Sequence, residues 1–159
     1  MSVFQKLAGV QAFENSKYFQ EGTYVVEITK VKNIQGYKGE SIVIETKVLG
    51  TDSPHENAPQ PGEIAAQVWS VDGKKKEIGL STWKGFLTVA CELGPEADNM
   101  SDKEWLDLSI ACTDGGALVG TPMYMQAWVK MIQSTGQPFT MHRWVRVATP
   151  EDLAQFGIE

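Results

Sequence analysis

From Gly22 onward the chain alternates. Tyr24, Val26 and Ile28 hold one parity and Val25, Glu27 and Thr29 the other, the two-residue period of a half-buried strand. Residues 33–40, NIQGYKGE, carry two glycines and predict a hairpin loop. After it Ile42, Ile44 and Val48 alternate with Glu45 and Lys47, which predicts a second strand antiparallel to the first. The segment TDSPHENAPQPG, residues 51–62, gathers three prolines with Asp, Asn and Ser and predicts a long surface loop. EIAAQVWSV then reads as a third strand and DGKKK as the turn that leaves it.

The period then lengthens. Over residues 77–93, Leu80, Trp83, Phe86, Leu87 and Ala90 recur at three-and-four spacing, the stripe of an amphipathic helix. GPEADNM interrupts it, and Ser101 followed by Glu104 is a capping box opening a second helix whose stripe is Trp105, Leu108 and Cys112. Glycine-rich TDGGALVGTP returns the chain to strands. In PMYMQAWVKMI the residues Met123, Met125, Ala127, Val129 and Met131 share one face, leaving Tyr124, Gln126, Trp128, Lys130 and Ile132 on the other. Beyond the turn QSTGQP, strict alternation through FTMHRWVRV puts Met141, Arg143, Val145 and Val147 inward and His142, Trp144 and Arg146 outward. Thr149 as N-cap and Pro150 at the first helical position predict a closing helix.

Three strands, a helical connection and two strands predict a mainly β protein: a five-stranded Greek-key barrel of the OB-fold type, with its helices between the third and fourth strands. An open α+β sheet of the same elements is the competing architecture. The domain spans residues 22–148. Residues 1–21, with Phe4, Leu7, Val10, Phe13, Tyr18 and Phe19 at irregular spacing, form an arm laid over it, and residues 149–159 a short helix or tail. A length of 159 residues, 42% hydrophobic and 21% charged, suits one globular domain. No apolar run reaches the ~20 residues of a membrane helix, and the first residues lack a signal-peptide pattern, so a soluble intracellular protein is expected. Cys91 and Cys112 read as small buried hydrophobes, too few for a disulfide framework and without zinc-site spacing.

The chain carries no phosphate loop, dinucleotide fingerprint, zinc-protease or nucleophile-elbow motif, and its two histidines, His55 and His142, are scattered. A non-catalytic protein without metal or cofactor is therefore expected. The net charge of −6 argues against a uniformly basic binder, but the charge is unevenly spread. Residues 115–150 contain Lys130, Arg143 and Arg146 and no acid, a local +3, and residues 72–84 hold four lysines against Asp72 and Glu77. Residues 85–114 set one lysine against seven acids. Aromatics interleaved with cations on a solvent-facing sheet suit single-stranded nucleic acid: bases stack on rings while cations hold phosphates. Tyr37, Trp69, Tyr124, Trp128 and Trp144 are the stacking candidates. Lys38, Lys74, Lys75, Lys76, Lys130, Arg143 and Arg146 are the phosphate candidates, with His142 beside them and Arg143 core-facing by alternation. Trp83, Trp105 and Phe86, on helical stripes, and Met123, Met125, Met131 and Met141 read as core.

The run GTYVVEITKVKNIQGYKGESIVIETKVLG, the proline-rich loop after it, the strand bearing Trp69 and the helix bearing Trp83, Phe86 and Leu87 resemble the phage-encoded single-stranded DNA-binding proteins of the OB-fold type. The resemblance covers about two-thirds of the chain by pattern. It implies sequence-tolerant binding of single-stranded DNA in phage replication and recombination, with replication or recombination proteins as further partners and a homo-oligomer as a candidate assembly. Such proteins often recruit partners through an acidic C-terminal end, whereas EDLAQFGIE is only mildly acidic. The alternative expectation is a structural or adaptor protein, a virion component or replication-complex scaffold, whose aromatic face meets other proteins.

Overall fold

The computed structural model describes residues 17–36 and 39–158, apart from the side chain of Lys75. Five strands and three α-helices follow the predicted order: β1 (Gly22–Gly36), β2 (Gly39–Thr51), β3 (Ile64–Ser70), α1 (Lys76–Ala90), α2 (Asp102–Thr113), β4 (Pro122–Met131), β5 (Pro138–Val147) and α3 (Pro150–Gln155). Short 3-10 turns at Gly73–Lys75 and Gly94–Asn99 lead into α1 and α2. The strands form one antiparallel sheet in the order β3-β2-β1-β4-β5, with the helices between β3 and β4 in sequence. No ladder joins β3 to β5 among the described residues, so the sheet has two edges.

The inner face carries the core. Tyr24, Val26 and Ile28 on β1, Ile42, Ile44 and Val48 on β2, and Met123, Met125 and Ala127 on β4 are all buried, as their alternation predicts. Burying side chains of this size is worth roughly 1.5–3 kcal/mol each, and they supply the main drive for folding. Trp83, Phe86, Leu87 and Ala90 seal the core from α1, while Leu80 is exposed. Trp83 also donates its Nε1–H to Ser109 Oγ at 2.9 Å, which holds α1 against α2. Both bonds of the Ser101–Glu104 capping box are present, and Thr149 caps α3 as expected. From the N-terminal side Lys17 pairs with the β3 edge at Ala65, and Phe19 enters the core edge-on to Tyr24 at 5.0 Å.

Alternation fails on β5. Met123 pairs with Val147 and Tyr124 with Arg146, but Met125 pairs with Trp144, leaving Val145 without a partner. This bulge shifts the parity by one residue. Trp144 and His142 therefore point inward, opposite Met125 and Ala127, and Arg143 points outward. Trp144 is 8% exposed and donates its indole N–H to Gln67 Oε1 on β3 at 2.7 Å, joining the two edge strands. Met131 and Val129, expected in the core, are exposed because β4 runs past the sheet beyond Gly22.

Gly79 lies in the first turns of α1 directly over the end of β3, where an added Cβ would run into the Ser70 carbonyl oxygen. Gly85 on the same helix faces open space. Gly79→Ala should cost roughly 1–3 kcal/mol by overpacking, although alanine is the better helix former. Gly85→Ala should add up to ~1 kcal/mol. Urea unfolding of the two variants checks this opposition of sign.

Candidate functional site

The outer face of the sheet is continuous across β1, β4 and β5. Gln126 pairs with Arg143, Trp128 with Met141 and Lys130 with Phe139, so these six side chains share one side of the β4–β5 hairpin. Directly opposed and diagonal positions on such a ladder lie ~4.5–8 Å apart, which places Trp128 within reach of both Phe139 and Arg143. Trp128 is 39% and Phe139 51% exposed, and Arg143 and Lys130 are exposed beside them. No carboxylate occurs anywhere between residues 115 and 150, so the hairpin's cations meet no acid from their own element.

Arg146 has a different fate. Its guanidinium makes a two-pronged bond to Asp152, Nε to Oδ2 at 2.8 Å and Nη2 to Oδ1 at 2.5 Å, and covers the Tyr124 ring at 4.3 Å. Tyr124 and Arg146 are thus engaged with α3. The same carboxylate accepts from the Thr149 N–H, and the Arg146 partnership draws its pKa down to about 2. Behind α3, Phe156 and Ile158 press on Gly50, where no side chain would fit.

The remaining predicted residues are dispersed. Trp69 pairs across from Ile42, packs toward Phe86 at 6.2 Å and turns its indole N–H into the core without an acceptor. Its face follows from the β2 ladder, where Ile42 is buried. His142 packs against Phe19 at 6.0 Å, and burial lowers its pKa from the ordinary histidine value. Trp69, His142 and Trp144 therefore belong to the interior, and Arg143 to the surface. Lys74 and Lys76 are exposed just beyond the end of β3, two and four residues after Asp72, which packs against Gly39. Tyr37, Lys38 and the Lys75 side chain lie outside the described residues.

Register separates the predicted clusters. The β1–β2 hairpin and the lysine turn stand at the Gly36 end of β1, whereas the β4–β5 tip extends past its Gly22 end. Between them the outer face carries Lys30, Lys32 and Lys47, which sequence reasoning passed over although TKVKN alternates visibly. Lys30 faces Glu45 and Lys47 faces Glu27, so this stretch is mixed in charge. Met141, expected in the core, joins the hairpin face with Phe139, because only the bulge reveals their side. Among the described residues no group of three metal-ligating side chains converges, and no helix is long and apolar enough to cross a membrane.

Compared with protein-family models and with curated proteins, the chain matches none.

The Arg146–Asp152 pair sets a pH dependence. A carboxylate held at about 2, below its ordinary value of 3.8, stabilises the fold fully above ~pH 4 and loses that contribution as the pH falls toward 2. Asp152→Asn, which keeps a capping side chain but not the charge, should lower stability evenly at neutral pH. The gap to the native chain should then close between pH 4 and 2. Urea midpoints across that range read it out.

Proposed function

We propose that the chain is a sequence-tolerant single-stranded DNA-binding protein of the OB-fold type, acting in phage DNA replication and recombination. The observation that carries this reading is the outer face of the β4–β5 hairpin, where Trp128, Phe139, Lys130 and Arg143 stand together in an acid-free segment. Exposed rings offer stacking surfaces that every base can use, and adjacent cations offer phosphate contacts. Phosphate attraction depends on local charge, since fields fade within ~10 Å at moderate salt, so the net −6 does not oppose it. Support for the fold comes from the strand order β3-β2-β1-β4-β5 with helices between β3 and β4, which is the order of a five-stranded Greek-key barrel opened between β3 and β5. The Trp144–Gln67 bond spans that opening.

A second reading, a structural or adaptor protein, draws on the hairpin's other side. Val129 and Met131, with Ile132 at the tip, are exposed there, apolar surface of the kind protein contacts use. Size measurement with and without oligonucleotide separates the two. The DNA-binding reading expects the particle to grow when oligonucleotide is added, and the adaptor reading expects it unchanged.

Titration with poly-dT at several salt concentrations should quench tryptophan fluorescence and give a salt-dependent affinity; absence of both sinks the proposal. Trp128→Ala should weaken binding by the ~1–3 kcal/mol of one stacked base, roughly 5- to 150-fold, and leave stability nearly unchanged. Lys130→Ala and Arg143→Ala should each make the log-affinity against log-salt slope shallower by ~0.7. Trp144→Ala should do the reverse of Trp128→Ala, costing ~3–5 kcal/mol of stability as a core truncation.

A further inference from the structure

The chain's two cysteines, far apart in sequence, meet in the fold. Cys91 follows the last turn of α1 and Cys112 lies in the last turn of α2, and their sulfurs are 4.0 Å apart across a separation of 21 residues. Cys112 is buried and Cys91 only partly so, which makes Cys91 the thiol a solute reaches first. The two helices are held in this relation by the Trp83–Ser109 hydrogen bond, 2.9 Å long. A disulfide is ~2.05 Å long, so closure asks each sulfur to move by about 1 Å.

We propose that Cys91 and Cys112 form a reversible dithiol–disulfide couple that hydrogen peroxide oxidises. The Cys91 thiolate attacks one peroxide oxygen, the O–O bond breaks, and the departing hydroxide takes a proton to become water. The Cys112 sulfur then attacks the resulting Cys91 sulfenic acid, gives up its proton and expels hydroxide as a second water. Two thiols and one peroxide yield one disulfide and two waters; sulfur is oxidised and peroxide oxygen reduced. The order of events follows from access, since Cys91 is the partly exposed sulfur and Cys112 the buried one, and the contact between the two thiols favours the Cys91 thiolate. The thiolate is the nucleophile, so the partly exposed Cys91 reacts first and Cys112 resolves. The bond would tie α1, anchored in the core by Trp83, Phe86 and Leu87, to α2, whose one fully buried side chain is Cys112 itself. This couple stands whether or not the chain binds DNA.

Non-reducing mass spectrometry of the intact, reduced chain after a modest excess of peroxide tests it. The expected product is a monomer lighter by two hydrogens, with a Cys91–Cys112 linked peptide, returned to the dithiol by dithiothreitol. Cys112→Ser should stop at the sulfenic acid, captured by dimedone at Cys91. In Cys91→Ser the remaining thiol should react on the order of tenfold more slowly than Cys91 does. A native-sequence product that gains two or three oxygens, or that is mainly a disulfide-linked dimer, overturns the proposal, and this reading needs no variant to fold. Cys112 reacting as fast alone as Cys91 overturns the order of steps.

Discussion

One indole joins the free edges of the sheet. Trp144 reaches from β5 to Gln67 on β3, and its ring is met edge-on by Phe86 of α1 at 5.1 Å and by Phe19 of the N-terminal segment at 6.4 Å. Open edges present unpaired backbone groups, a standing invitation to pair with another chain. Here the gap is closed by side chains rather than by a ladder. Lys17 adds backbone bonds to the β3 edge, donating to the Ile64 carbonyl and accepting from the Ala66 N–H. The buried indole thus links β3, β5, α1 and the segment before β1.

That arrangement rests on a single extra residue. Arg143 and Arg146 are three apart, which in a regular strand would place them on opposite faces. Val145, bulged out of the ladder, puts both on the outside and turns Trp144 in. The bulge therefore decides the core and the surface at once. It frees Arg143 beside Trp128 and sets Arg146 over Tyr124, where Asp152 binds it to α3.

The legible parts of the fold were those with redundant signals. Strands β1, β2 and β4 each repeat an apolar parity over several residues, and the helices announce themselves by stripe and cap, so element order and most core residues followed from the chain. A bulge leaves no such trace. Strict alternation accordingly puts His142 and Trp144 outward and Arg143 inward, the reverse of their true faces, since FTMHRWVRV offers bulky residues at both parities and only its partner strand shows where one drops out. Trp69, a stacking candidate by its residue type, packs inward for a related reason: EIAAQVWSV contains apolar residues at both parities, and the ladder to Ile42 settles its face. The candidate site is accordingly narrower than the residue types suggest, one hairpin rather than two turns and three strands. Trp128 and Lys130 kept the place their alternation indicated, and Met131 lost its own because β4 outruns the sheet that would have covered it.

Charge arithmetic along the outer face gives the hairpin its priority. Lys30, Lys32 and Lys47 equal in number the hairpin's Lys130, Arg143 and Arg146, yet Glu45 and Glu27 sit directly across from Lys30 and Lys47. Charges opposed on a ladder largely satisfy each other, and a phosphate arriving there would meet a carboxylate within the same few ångströms. On β4 and β5 no acid is opposed to a cation: Lys130 faces Phe139, and Arg143 faces Gln126. Only Arg146 is answered, by Asp152 from α3. On the hairpin, therefore, two exposed cations with no acid opposite, Lys130 and Arg143, coincide with the exposed rings of Trp128 and Phe139.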